Sequence, residues 1–215
     1  MRNRGIKVLP LKERGLLIVI SGPSGVGKGT VCSYLRLEHP ELAFSISATT
    51  RPRRNSEVDG ENYFFMSREE FMVRRENGDF LEWAEVYGNL YGTPRWAVEA
   101  TLARGQDVVL EIDIQGALKV KEIFPEGVFI FLLPPSKDEL EKRIKGRAQD
   151  SPDTIRYRLS CVDQELAVIN EYQYAIVNGQ VEEAASEIKA IISAEKCRIS
   201  RYKELEYWKG GNTCD

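Results

Sequence analysis

The apolar run Leu16-Leu-Ile-Val-Ile-Ser21 feeds directly into Gly22-Pro-Ser-Gly-Val-Gly-Lys28-Gly29-Thr30. A buried strand, a glycine-rich turn and a lysine that opens a helix make a phosphate cradle. The turn aims backbone N–H groups at one small volume, and the start of the helix adds partial positive charge there. Lys28 contributes a full, mobile charge. Gly22, Pro23, Ser24, Gly25, Val26, Gly27, Lys28, Gly29 and Thr30 are therefore the candidate ligands of a nucleoside triphosphate. The usual pattern has Ser or Thr directly after the lysine to help hold Mg²⁺, whereas here Gly29 stands there and the hydroxyl moves to Thr30.

Beyond this turn, short β-rich runs alternate with helical stretches, the signature of parallel strands joined by crossover helices. Runs 107–111, 128–133 and 174–177 read as further strands, each apolar enough to be covered on both faces. Thr93, Pro94 and Gly105 bracket a helix as N-cap, first-turn proline and terminal glycine, and Ser136 with Glu139 forms a capping box for another. After Pro152, the residues Ile155, Leu159, Val162, Leu166 and Ile169 recur at helical spacing, and the last helix is expected from Val181 to Tyr207.

The stretch from Ser47 to Gly92 breaks this alternation. An arginine-rich loop leads through Tyr63-Phe-Phe-Met66 to a short helix capped by Ser67 and Glu70, then to Phe80-Leu-Glu-Trp-Ala-Glu-Val-Tyr87. It reads as a β-rich lobe inserted after a strand near Phe44, at the carboxyl ends of the sheet where ligands of open α/β folds bind. In Ser47-Ala-Thr-Thr-Arg51-Pro-Arg53-Arg54, guanidinium groups suit phosphate oxygens, and cations clustered without neighbouring carboxylates are costly unless an anion joins them. Solvation is the alternative for such a loop. Tyr63 and Tyr91 either reach the same anion with their hydroxyls or pack in the lobe with wet tips.

Composition excludes several classes. Hydrophobic residues make up 42% and charged residues 29% of the 215 positions, an ordinary balance for a folded domain, and the net charge of −3 gives no basic character for non-specific nucleic-acid binding. Cys32, Cys161, Cys197 and Cys214 form no C-x-x-C pair, and the single histidine, His39, sits before Pro40 at a helix end. No run is long enough for a membrane span and the basic start lacks a signal-peptide core, so a cytoplasmic location is expected.

Taken together, the chain resembles the guanylate kinases of the nucleoside-monophosphate kinase group. The resemblance rests on Gly22 to Thr30, then Ser47-Ala-Thr-Thr-Arg-Pro-Arg-Arg54 with Glu57, Gly60 and Tyr63-Phe-Phe65. It continues through Phe80-Leu-Glu-Trp-Ala84, Tyr91-Gly-Thr93, Glu111-Ile-Asp-Ile-Gln-Gly116, Pro134-Pro-Ser136, Arg143 and Gly146-Arg147. It implies an α/β fold: a P-loop NTPase-type parallel sheet flanked by helices, with an inserted β-rich GMP-binding lobe and a short lid. The expected organisation is a basic extension over 1–15, a core over 16–46 and 93–208 with the lid at about 146–153, the GMP lobe over 47–92, and a polar tail over 209–215. The implied reaction is transfer of the terminal phosphoryl group of ATP to GMP, giving ADP and GDP.

The resemblance also distributes roles. Ser47, Arg51, Arg54, Tyr63, Glu82, Tyr91, Thr93, Glu111 and Asp113 are the implied GMP ligands, with Glu82 reading guanine beside Ser47 and Thr93. Read from the residues alone, Glu82 is instead a solvent-facing carboxylate on an edge strand, sharing a face with Ala84 and Val86. Lys28, Arg51, Asp113, Arg143, Arg147 and Arg158 are the implied catalytic set, although the last three arginines also have helix-surface acids such as Glu139, Glu141 and Asp150 for partners. Mg²⁺ is expected to arrive with ATP, held largely through phosphates and water, with no protein metal ligand assigned. Glu111 stands either as a functional acid or as a strand-end cap. The competing readings are a non-catalytic module that binds phosphorylated partners and a kinase of another acceptor such as AMP or a phosphosugar. Lys28, Arg51, Arg54 and Asp113 speak against the first, Glu82 and Tyr91-Gly-Thr93 against the second.

Overall fold

The computed structural model describes residues 14–86, 88–146 and 152–201, with the side chains of 152–155, 157 and 158 outside that description. Arg147, the Arg158 side chain, Cys214, most of the 146–153 stretch and nearly all of both terminal segments lie outside the described residues.

In chain order the strands are β1 (Leu17–Ser21), β2 (Ala43–Phe44), β3 (Ala48–Thr49), β4 (Phe64–Phe65), β5 (Phe80–Val86), β6 (Asn89–Pro94), β7 (Val108–Glu111), β8 (Val128–Leu133) and β9 (Tyr174–Val177). The helices are α1 (Lys28–Glu38), α2 (Arg68–Glu76), α3 (Arg95–Ala103), α4 (Ile114–Ile123), α5 (Lys137–Lys145), α6 (Pro152–Ala167) and α7 (Val181–Lys196). Five strands form an all-parallel sheet in the order β2-β7-β1-β8-β9. β1 lies in the middle, buried at every residue, which is why it is continuously apolar rather than alternating.

The two faces of this sheet carry separate cores. Leu16, Ile18 and Ile20 pack with residues of α1, α5 and α7, including Leu35, Ile144, Ile188 and Ile192. Leu17 and Val19 face the other way, against Val98 and Leu102 of α3 and Ala117 and Val120 of α4. Two-sided cover fails along the β9 edge: Ile176 is buried but Val177 is 53% exposed, so the expectation that run 174–177 is covered on both faces is corrected. β9 has a neighbour on one side only, and α7 covers one of its faces.

The serine half of each capping box forms as read, while the Glu70 and Glu139 carboxylates turn to Arg74 and Arg143. The Ser67 and Ser136 hydroxyls accept from the Glu70 and Glu139 amides at 3.0 and 3.1 Å. Two other expectations are corrected. Thr93 is not an N-cap: β6 runs on to Pro94, which itself precedes α3 without a side-chain cap, because the Thr93 hydroxyl is engaged across the sheet. The last helix stops at Lys196 instead of continuing to Tyr207, and residues 202–207 lie outside the described residues. Its buried stripe of Ala184, Ala185, Ile188 and Ile192 has no successor, since Ile199, next in register, is 74% exposed and no core rewards another helical turn.

A second sheet, β4-β3-β6-β5, stands beyond the carboxyl end of β2. One face packs Ala48, Phe80 and Leu90 against Phe71 of α2, whose ring stacks on Phe80 at 4.3 Å between centroids. β5 carries a bulge: Phe80 pairs with Pro94 and Glu82 with Thr93, leaving Leu81 unopposed. Without that extra residue Phe80 and Glu82 would share a face. With it, Phe80 and Trp83 belong to the small core, Leu81 joins the large one, and Glu82 turns to the opposite side. Phe71→Ala is expected to lower the unfolding free energy by about 3–5 kcal/mol, read by urea denaturation, because a fully buried ring leaves a cavity in a core too small to refill it.

Candidate active site

The phosphate loop sits at the carboxyl end of β1, between the ends of β7 and β8. Gly27 adopts φ +100°, and a β-carbon there would lie 2.6 Å from the Asn178 amide nitrogen, so side-chain-bearing residues are excluded on both conformational and steric grounds. Turning the loop's N–H groups inward points carbonyls outward, and these need partners. Asn178, buried directly after β9, donates Nδ2 to the Val26 carbonyl at 2.8 Å. Arg143 of α5 donates Nη1 to the Val26 and Asn178 carbonyls at 3.2 Å each, while its Nε holds Glu139 at 3.0 Å. Arg143, read from the sequence as a group on the transferring phosphate, thus sits at the loop as a brace on its carbonyl side.

Lys28 donates to the Gly22 and Pro23 carbonyls at 2.6 and 3.2 Å, spanning the loop it opens. Burial lowers its pKa, and the carboxylates of Glu165, Glu111 and Asp113 counter that shift. Glu111, at the end of β7 beside Ile20, places Oε1 3.3 Å from where a Gly29 β-carbon would stand. A carboxylate oxygen therefore borders the space left by the missing Ser or Thr side chain. Thr30 is exposed in the first turn of α1.

Across the second sheet, one face gathers the acceptor candidates. The Thr93 hydroxyl donates to Glu82 Oε1 at 2.6 Å. Extending the β3–β6 register by one residue sets Ser47 opposite Thr93, so Ser47, Thr93 and Glu82 lie in one row. Burial raises the Glu82 carboxyl above the usual range; the Thr93 bond opposes the rise and the negative charge of Asp113 adds to it. Asp113 caps α4, accepting from the Gly116 amide at 2.7 Å, and Gly116 lets α4 come close, since a β-carbon there would be 3.3 Å from Glu82 Oε2. Glu82 is the partly enclosed carboxylate rather than the solvent-facing one.

The arginine loop differs from its sequence reading. Its cations are not without a carboxylate: Arg51 grips Glu57 through both Nη atoms, at 2.7 and 3.1 Å, and Glu57 also accepts from the Arg54 amide at 2.8 Å. This pairing raises the Arg51 pKa and, chiefly through Arg51, lowers that of Glu57. A carboxylate six residues on falls outside the arginine run and is brought back by the turn after Pro52. The Arg51 guanidinium also lies over the Tyr63 ring at 5.5 Å, and Tyr63 meets Tyr91 edge-on at 6.1 Å, so these three residues form one cluster. Arg54 leaves its guanidinium exposed beside them.

Glu57 stands in the sequence only among the residues that carry the family resemblance, with no role there as a counter-ion. Asn178 and Glu165 carry no sequence signal, because their roles come from β9 and α6 folding back onto a turn more than a hundred residues earlier.

Comparisons with known proteins point to one family. A sequence profile described as guanylate kinase matches residues 14–195. The chain is 56% identical over 197 residues to a guanylate kinase of Caldanaerobacter subterraneus subsp. tengcongensis, covering 92% of this chain and 96% of that one. It is 55% identical over 192 residues to a guanylate kinase of Clostridium perfringens, covering 89% of each. The crystal structure of guanylate kinase from Anaplasma phagocytophilum is similar with a TM-score of 0.70 at 37% identity, covering 93% of this chain and 95% of that one.

The raised pKa of Glu82 has a stability consequence. Ionising a group whose folded pKa lies above its unfolded value opposes folding, and that penalty is complete above the folded pKa and vanishes below the unfolded one. Glu82→Gln is expected to melt higher than the parent at neutral pH without ligand, and the two curves should converge as pH falls below the ordinary glutamate value of about 4.3, by differential scanning calorimetry.

Proposed function

This chain belongs to the guanylate kinase family and catalyses ATP-dependent phosphorylation of GMP to GDP, and from that premise we propose how its residues divide the work. Residues Gly22 to Thr30 take the ATP phosphates, with Lys28 following the β- and γ-groups. Arg51, Arg54, Tyr63 and Tyr91 take the GMP phosphate, and Glu82 with Ser47 and Thr93 takes the base. The observation that carries this division is the Thr93–Glu82 pair, a carboxylate held in a recess on the same side of the sheet as the arginine–tyrosine cluster.

Guanine offers N1–H and its exocyclic amine as adjacent donors, and one carboxylate accepts from both. Adenine sets an acceptor at N1 against the same carboxylate, leaving a buried charge facing a lone pair, which costs on the order of a few kcal/mol. Glu57 must release the Arg51 fork, or share it, when phosphate arrives, so Arg51 is oriented in advance and the binding is an exchange of anions.

The reaction needs alignment and charge neutralisation more than covalent help. Lys28 and the loop amides hold the donor phosphates, Arg51 and Arg54 hold the acceptor, and Asp113, tied to the α4 amide, orients the α4 end against Glu82. Arg143 acts through the loop, and Arg147 and Arg158 keep the role the family resemblance implies for them, as cations on the transferring phosphate. Glu111, whose Oε1 lies 3.3 Å from where a Gly29 β-carbon would stand, would hold Mg²⁺ on the protein side, and the ion would supply charge neutralisation to the triphosphate. Closure of the 47–92 lobe over the core expels water and limits ATP hydrolysis. No described helix is long and apolar enough to cross a membrane, and we place the enzyme in the cytoplasm, acting on small-molecule substrates without nucleic acid.

A panel of nucleoside monophosphates with ATP and Mg²⁺, scored for diphosphate formation, should show GMP preferred over AMP by at least about a hundredfold in kcat/KM. Glu82→Gln should reduce kcat/KM for GMP by about a hundredfold while the Kd for ATP, from titration calorimetry, stays within about twofold; equal loss of both would remove the base-reading role. Glu111→Gln should raise the Mn²⁺ concentration needed for half-saturation in the presence of ATP by about tenfold, followed by electron paramagnetic resonance.

A further inference from the structure

The mouth of the phosphate loop already holds an anion. Glu165 of α6 accepts a hydrogen bond from the Ser24 amide, with N to Oε2 at 3.2 Å. The contact spans 141 positions of sequence and links α6 to the turn that the triphosphate must enter. α6 is fixed in place for it: Val162 is buried, and Leu159 and Leu166 pack on the same core that contains Val26 of the loop and Leu140 and Ile144 of α5. Glu165 stands three residues past Val162, on the side of the helix turned to that core. Lys28 feels this carboxylate more strongly than those of Glu111 and Asp113.

A carboxylate and a phosphate oxygen seek the same donors, and two anions at one amide repel through a partly enclosed medium. We propose that Glu165 is a positioning residue of the donor site, whose carboxylate competes with the triphosphate for the Ser24 amide and must be displaced for ATP to bind. It keeps the Ser24 amide engaged in the free protein, at a cost in ATP affinity. Because α6 follows directly on the segment 146–151, displacing Glu165 couples donor binding to the position of α6. This inference rests on the reading of residues 22–30 as the triphosphate cradle.

The test is calorimetric titration of inorganic tripolyphosphate into the full chain, in the parent, Glu165→Gln, Glu165→Ala and Asp163→Asn forms. Asp163 lies on the same helix, paired with Lys137 in solvent, and controls for loss of charge in general. A neutral acceptor holds an amide several-fold less tightly than a carboxylate, so both Glu165 variants are expected to bind tripolyphosphate about fivefold tighter than the parent, with Asp163→Asn unchanged. Loss of packing alone would weaken binding, not strengthen it. Unchanged or weaker binding in Glu165→Gln, or equal tightening in Asp163→Asn, overturns the proposal while leaving the cradle intact. Failure of the parent itself to bind tripolyphosphate overturns the cradle reading instead, and the inference with it.

Discussion

Pointing several backbone N–H groups of one short turn into the same small volume is costly unless something negative fills it and unless the carbonyls forced outward are also satisfied. That double requirement organises this molecule. The Gly22 and Pro23 carbonyls are met by Lys28, and the Val26 carbonyl by Asn178 and Arg143 together. Both partners are carried by elements that pack on the same core as β1, which ties the loop to the parallel sheet beneath it. Gly27 can hold its left-handed conformation because no side chain competes with Asn178 for that space.

The same logic recurs wherever the site gathers charge. Arg51 is matched by Glu57, the Ser24 amide by Glu165, and Glu82 by the Thr93 hydroxyl. Each of these groups is held by an internal partner of the chemistry its substrate will present: carboxylate for phosphate, hydroxyl donor for the N–H donors of a base. Binding then exchanges partners instead of ordering loose side chains, which trades some affinity for alignment, and alignment is what phosphoryl transfer most requires.

How far this was legible in the sequence depends on whether a role is local. The cradle was, because strand, glycine turn and lysine are contiguous and their conformations follow from their own φ preferences. So were the capping boxes at Ser67 and Ser136, where donor and acceptor lie three residues apart. The Thr93-Pro94 helix start was misread because a threonine before a proline satisfies the local rule for an N-cap, while its hydroxyl has a better acceptor one strand away. The extent of the last helix was overread for a related reason: helix propensity continues past Lys196 but the buried face does not.

By itself, the sequence determined the class of fold, the phosphate loop and the set of residue types that a two-nucleotide kinase needs, since these are written in contiguous runs whose local physics has few alternatives. Tertiary structure alone decided which way those residues point and what holds them. The bulge at Leu81 turns Glu82 out of the small core, Gly116 lets α4 press Asp113 toward it, and the returns of α6 and β9 bring Glu165 and Asn178 to a turn far away in the chain. Such contacts depend on register, packing distance and chain crossing, none of which has a residue-by-residue signature, because the energy that selects them belongs to the assembled sheet and not to any one segment of it.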